Sequence, residues 1–370
     1  MFRVLRPELF TPNCGSILNP YVFQGSRFVK SVQNPTKEDT LNGNYKPRLT
    51  AVNRLTEGGR QIELRIEFSA PKLLFGNNFD ELAQQDFQKV VQTLNCKLKE
   101  MGVVVGLDNL ARAPVSAVHY SKNVALDDFT SVSMIISELA KVDVNQRMDI
   151  SESKYRNSGH CLHYHADSFE VVFYDKLKDL EQANKSPKRA IENDNYCQMN
   201  IYDEISKIKP FEVFRMEVRL GNATKIRQLF KKVGSDTKLV FNEVFNRDVS
   251  QKVLLHFWEQ VDAGLSVFKM DATSPCDLLR GIKKNNPTMR PSKLLKLIGA
   301  IVLIKEVGYR PLREALGIKS RDANVWYSLK KELKSVDQLK ITDKYKSILK
   351  VKDALKAFIP LRLADYDIQF

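Results

Sequence analysis

Long apolar runs are missing from this 370-residue chain. None reaches the length needed to span a bilayer, so an integral membrane helix is not expected. The first residues, Met-Phe-Arg-Val-Leu-Arg-Pro-Glu, have neither an extended apolar core nor a small-residue cleavage site, so no secretory signal is expected either. Cysteine is scarce: Cys14, Cys96, Cys161, Cys197 and Cys276 are odd in number, and no two lie at CxxC spacing. That pattern argues against a disulfide framework and a cysteine zinc site, and it points to a reducing compartment, the cytoplasm. There is no GxGxxG and no Walker A loop, so a nucleotide-cradling enzyme lacks its usual signature.

Acidic residues are also in deficit. Lys and Arg number 58 against 44 Asp and Glu, a net charge of +14. An excess of that size favours a polyanionic partner, of which nucleic acid is the commonest. The excess is uneven. From Gly281 to Phe370 the balance is +11, which leaves only +3 for the first 280 residues. The C-terminal quarter is the electrostatic part.

What is present reads as two regions, residues 1–245 and 246–370. After a loop-rich start, Leu49–Leu55 and Arg60–Ala70 form a predicted hairpin around Thr56-Glu57-Gly58-Gly59. Ile62, Leu64, Ile66 and Phe68 face one way, and Glu63, Arg65 and Glu67 the other. Ser69–Asn78 reads as a loop, 80–101 as a helix, 114–122 as a strand bearing His119, and 127–142 as a second helix. His160–Lys176 reads as a hairpin turning at Ala166-Asp167-Ser168, with Glu170, Val172 and Tyr174 on one face. A helix over 176–184 and a strand over 211–220 follow, with Arg215, Glu217 and Arg219 sharing a face of that strand. The expected layout is α+β, an antiparallel sheet with helices on one face, in two ββαβα-like halves. From 246 the chain reads as all helix. Pro311–Leu316, a turn at Gly317 and a helix over 321–334 have the form of a helix-turn-helix.

A lone strand tyrosine packs more often than it reacts. Here the tyrosine ends a strand, Lys176 follows two residues on, and several carboxylates and a histidine lie on nearby strands. Tyrosine can attack a phosphodiester and keep the bond energy in a phosphotyrosine link. Its hydroxyl is a weak acid and needs a cation or a base. A divalent metal, Mg²⁺ or Mn²⁺, on Glu, Asp or His would polarise the phosphate. His163-Tyr164-His165 has the His-hydrophobic-His form of paired metal-binding histidines, although surface or DNA-contacting roles suit these two better.

Four blocks in order carry a resemblance: Ile66-Glu-Phe-Ser-Ala-Pro-Lys-Leu-Leu-Phe-Gly-Asn-Asn78, Val115-Ser-Ala-Val-His-Tyr-Ser121, Phe169-Glu-Val-Val-Phe-Tyr-Asp-Lys176 and Val213-Phe-Arg-Met-Glu-Val-Arg-Leu220. Together with the helical segment around Val307-Gly-Tyr-Arg310 and Asn324-Val-Trp-Tyr327, the chain resembles the phage and plasmid replication proteins of the gene II/X family, the filamentous-phage type of rolling-circle initiator. The resemblance implies a nicking-closing enzyme of the bacterial host cytoplasm, acting on supercoiled origin DNA and single-stranded DNA with a host helicase. It puts the nucleophile at Tyr174, assisted by Lys176, and the metal at Glu67, His119 and Glu217. DNA contacts are expected from Lys72, Asn78, Arg215 and Arg219, and from Arg321, Asn324, Lys330 and Lys331 in the C-terminal region. The alternatives are a non-catalytic origin-binding initiator or repressor that uses the helix-turn-helix, and a conjugative relaxase that shares the chemistry.

Overall fold

The computed structural model describes residues 2–4, 28–57, 59–126, 130–142, 154–156, 159–166, 168–185, 188, 191, 194–198, 212–269, 274–318, 323–334 and 346–363. It is a mixed α+β molecule with two antiparallel sheets, and its helices fall mostly in the C-terminal part. The first sheet comprises β1 (Phe2–Val4), β2 (Phe28–Gln33), β3 (Arg48–Thr56) and β4 (Gly59–Glu67), in the order β1-β4-β3-β2. The second comprises β5 (Val118–Leu126), β6 (Lys154–Arg156), β7 (Cys161–Ala166), β8 (Phe169–Asp175) and β9 (Glu212–Leu220), in the order β5-β9-β8-β7-β6.

Both predicted hairpins form, with the long-range pairing adding what local pattern cannot. In the first, Leu64 and Ile66 are fully buried, as their alternation demands. The opposite face is not simply solvated: Glu63 is buried and bonded to Arg65 at 2.6 Å. The segment read as a loop over 69–78 contains a short helix, Ala70–Phe75, with a proline in its first turn and Gly76 closing it at φ +69. The helix read over 80–101 starts later, at Phe87, because residues 77–86 are tied up in side-chain and 3₁₀ turns. Among the described residues the two sheets differ in strand number and order, so they do not bear out the expected duplicated halves.

The second sheet has one apolar and one polar face. Tyr120 and Val124 of β5, Phe214, Met216 and Val218 of β9, Val171 and Phe173 of β8, and Leu162 and Tyr164 of β7 are buried on the first. The helices Val132–Ala140, Arg247–Gly264 and Lys346–Ala357 pack there, with Trp258 edge-on to Phe173 at 6.2 Å. One continuous core runs from Tyr45 to Leu355, so helices from beyond residue 246 complete the sheet's hydrophobic layer. Each fully buried large apolar side chain contributes about 1.5–3 kcal/mol.

Candidate active site on the polar sheet face

Register brings the chemistry together. In the β5–β9–β8–β7 ladder, Asn123, Arg215, Tyr174 and Cys161 lie in one row across the strands. Ser121, Glu217, Val172 and His163 form the next row, and His119, Arg219, Glu170 and His165 the third. Because strand side chains alternate, all twelve share the face opposite the core.

The face grades from closed to open. Near Ala125 and Val213 it is covered by Phe79, by Leu180 of the Lys176–Lys185 helix and by Leu361 and Leu363 near the C-terminus. At the other end the side chains of His119 and His165 are 55% and 45% exposed. Tyr174 is half-buried between the two ends.

The Tyr174 hydroxyl donates to Glu217 Oε2 at 3.2 Å. Arg215 Nε lies 3.7 Å from the same oxygen. Glu217 Oε1 accepts from Arg219 Nε at 3.0 Å, and His119 Nδ1 lies 3.5 Å away. Burial alone would raise the Glu217 pKa. The hydrogen bond from His119 and the charges of Arg219 and Arg215 outweigh it and hold the carboxyl well below its ordinary range. Burial pushes the Tyr174 phenol well above its ordinary value, with Glu217 and Asp179 adding to the rise and the two arginines opposing it. The pair therefore rests as a neutral phenol on a carboxylate.

Arg215 is fixed from behind. Its Nη1 donates to Asn78 O at 2.9 Å and Asn123 Oδ1 at 3.1 Å, and its Nη2 donates to Ser121 Oγ at 2.8 Å. Arg219 reaches outward and also meets Glu170 at 3.3 Å. Lys176 is fully buried as the first residue of its helix, with Nζ 2.9 Å from Asp179 and 5.9 Å from the centre of the Tyr174 ring. Asp175 caps that helix, accepting from the backbone N–H groups of Leu177 and Lys178. Lys72 is also buried and donates to Asn195 at 3.1 Å. Burial, and then the nearby charge of Lys176, lowers its pKa to about 8.

The structure thus gathers Tyr174, Lys176, His119, Glu217, Arg215 and Arg219, with Asn78 behind Arg215 through its carbonyl. Glu67 is not among them: it ends β4 in the other sheet and is exposed. Both oxygens of Glu217 are already engaged, and among the described residues no three His, Cys, Asp or Glu side chains form a group that could hold a metal. This donor set does not fit the expected Mg²⁺ or Mn²⁺ centre of Glu67, His119 and Glu217.

Of the eye-catching histidines, His165 Nδ1 meets Glu170 Oε1 at 2.9 Å and His163 is half-buried. Tyr164 between them points into the core and donates to Leu139 O at 2.7 Å. In the C-terminal region, Asn324 and Lys331 are exposed on the helix Ala323–Lys334. Lys330 is instead buried, its ammonium 5.2 Å and 5.8 Å from the ring centres of Tyr327 and Tyr309, which makes it a packing residue. Arg321 lies outside the described residues. The sequence pattern put Glu170 on the face of Tyr174 without giving it a role, and it did not single out Ser121, Asn123 or Asp179. The register of β5 against β9 is what sets Ser121 beside Glu217 and Asn123 beside Arg215.

The fold and site define an α+β protein with a tyrosine–carboxylate–arginine cluster on an open sheet face. No protein-family model, curated protein or solved structure matches the chain. Among the described residues, no helix is long and apolar enough to cross a membrane.

Proposed function

We propose that the chain is a DNA nicking-closing enzyme that initiates rolling-circle replication, with Tyr174 as its nucleophile. One observation carries the reading: the Tyr174 hydroxyl sits 3.2 Å from Glu217, with Arg215 and Arg219 on the same carboxylate, at the seam between the covered and open parts of a polar face. The net charge of +14 supports a polyanionic substrate.

Tyr174 Oη attacks the scissile phosphorus and the P–O3′ bond breaks. The 3′ oxygen leaves and takes a proton from solvent, while the 5′ phosphate stays on the tyrosine. Arg215 and Arg219 stabilise the charge that develops on the phosphoryl oxygens. A phosphate that draws Arg219 away from Glu217 makes that carboxylate more basic, so it accepts the phenolic proton and passes it to solvent at the open end of the face. Attack by a 3′ hydroxyl reverses the step and closes the circle. In this reading the two guanidinium groups, rather than a metal, neutralise the charge that develops on the phosphate. Persistence of nicking in EDTA assigns charge neutralisation to the arginines, and its loss returns that role to Mg²⁺ or Mn²⁺.

The partners of this reading are supercoiled origin DNA, the displaced single strand and a host helicase in a bacterial cytoplasm. The test is the covalent adduct. With labelled origin DNA, Tyr174→Phe is expected to form none while still binding, and an adduct on that variant would overturn the assignment.

A second reading rests on the helix pair Tyr309–Ala315 and Ala323–Lys334, with Gly317 at φ +62 after the first helix and Asn324 and Lys331 exposed on the second. That pair would act as a helix-turn-helix in a non-catalytic origin binder. Supercoiled origin plasmid separates the two readings: open circles support the enzyme, and unchanged plasmid supports the binder.

A further inference from the structure

The closed end of the polar face is built by a return of the chain. After the helix Lys346–Ala357, Phe358 takes a left-handed backbone at φ +48, and residues 358–363 run back onto the loop that follows the Ala70–Phe75 helix. The strap is held at several points. Glu81 N–H donates to Leu361 O and Leu361 N–H donates to Glu81 Oε2, both at 2.9 Å. Leu363 N–H donates to Asp80 Oδ1 at 2.8 Å. Arg362 bonds Asp86 at 2.9 Å and lies 4.5 Å from the centre of the Phe75 ring. Leu361 and Leu363 bury against Phe79 and Leu180.

The same loop holds Arg215. Glu81 Oε1 accepts from the backbone N–H of Asn123 at 2.5 Å, and Glu81 also pairs with Lys122. Asn123 Nδ2 donates to Phe79 O at 2.8 Å, and Asn123 Oδ1 and Asn78 O both accept from Arg215 Nη1. One carboxylate thus joins the strap, the loop and β5, and the groups on either side of it are the acceptors that aim Arg215 at Tyr174 and Glu217.

We propose that Glu81 is a positioning residue through which the C-terminal strap fixes the Arg215 guanidinium against the Tyr174–Glu217 pair. The nicking reading supplies the reaction that this positioning would serve, but the coupling can be read without it. Removing the carboxylate leaves Asn123 N–H, Leu361 N–H and Lys122 without their shared acceptor, so the loop and Arg215 shift together. A shift near 1 Å in such a group costs about 100-fold in rate.

The test uses the full chain and three variants: Glu81→Ala, Glu81→Gln and Leu361→Pro, the last lacking the strap's N–H donor. Two readouts do not need DNA: the Arg215 Nε–H resonance, assigned with Arg215→Lys, and the spectrophotometric titration of Tyr174, assigned with Tyr174→Phe. Glu81→Ala and Leu361→Pro are expected to move both, raising the Tyr174 midpoint as Arg215 withdraws. Glu81→Gln keeps a single acceptor oxygen, so it retains one of the two N–H bonds that the two carboxylate oxygens now share out, and its signatures are expected between those of Glu81→Ala and the wild type. Adduct formation should fall about 100-fold in Glu81→Ala, with origin affinity nearly unchanged. If both spectroscopic signatures stay at their wild-type positions in well-folded Glu81→Ala and Leu361→Pro, the inference is overturned. If they move while wild-type protein forms no adduct, the positioning stands and the nicking reading fails.

Discussion

At the scale of single residues, the site is a balance of buried charges. Glu217 carries a low pKa because His119, Arg219 and Arg215 face it, so its neutral isostere should be costly where charge matters. Glu217→Gln is expected to cut adduct formation about 100-fold, with origin binding kept in a gel-shift assay. Lys72 gives a pH signature of its own. A lysine in the unfolded chain holds its proton up to about 10.4, whereas buried Lys72 holds it only up to about 8. Between those values the unfolded chain binds more protons, so this residue makes stability rise with pH, by about 3 kcal/mol across the window. Comparing urea midpoints at pH 7.5 and 10 should show that rise in the wild type and its loss in Lys72→Met. A rise that persists in the variant would assign it to other groups.

At the scale of elements, the Tyr-Asp-Lys run ends a strand and starts a helix. Tyr174 is the last alternating residue to face the site, Asp175 is the cap and Lys176 is the first helical residue. Burial raises the Asp175 pKa, so its charge is disfavoured in the folded state even though its oxygen is needed. Asp175→Ala is therefore expected to cost about 1 kcal/mol through the lost cap. Asp175→Asn keeps the acceptor and sheds the charge, and should be neutral or stabilising at pH 7 by thermal melting. The helix Pro291–Val307 shows where composition misleads. Its run of apolar residues from Leu294 to Ile304 suggests a helix buried on every side, yet Leu295 is 63% exposed and the buried positions, Leu294, Leu297, Ile298, Ile301 and Ile304, follow one side of the helix.

At the scale of the whole molecule, the sequence reads as two regions, but its described hydrophobic layer is continuous. Phe173 of β8 meets Trp258 of the Arg247–Gly264 helix, and the helix Lys346–Ala357 packs on that helix and on β5. Residues on both sides of position 246 therefore lose their packing together. Unfolding should follow one cooperative transition by calorimetry and by near-ultraviolet dichroism. Trp258→Ala, at a fully buried position in this seam, is expected to cost about 3–5 kcal/mol. A separate early transition for the C-terminal helices would contradict the shared core.

Local pattern determined a good deal. Alternation placed a hairpin within His160–Lys176, where the strands Cys161–Ala166 and Phe169–Asp175 form, and set Tyr174 on the face of Glu170, because a strand's side chains have a period of two whatever the partner. It also set Arg215, Glu217 and Arg219 together on β9. The extent of β5 was not legible: expected over 114–122, the strand runs Val118–Leu126, and its extension adds Asn123 to the face that His119 and Ser121 share. Which strands neighbour one another was equally hidden, since β9 pairs between β5 and β8 across stretches of chain that no local periodicity spans. That long-range pairing put Glu217 under Tyr174, left Glu67 in another sheet and brought residues 358–363 back behind Arg215. Side-chain period is a property of the chain and can be read from it. Register, strand order and the return of the C-terminus come from burying one face of a sheet under distant helices, and only the folded molecule decides them.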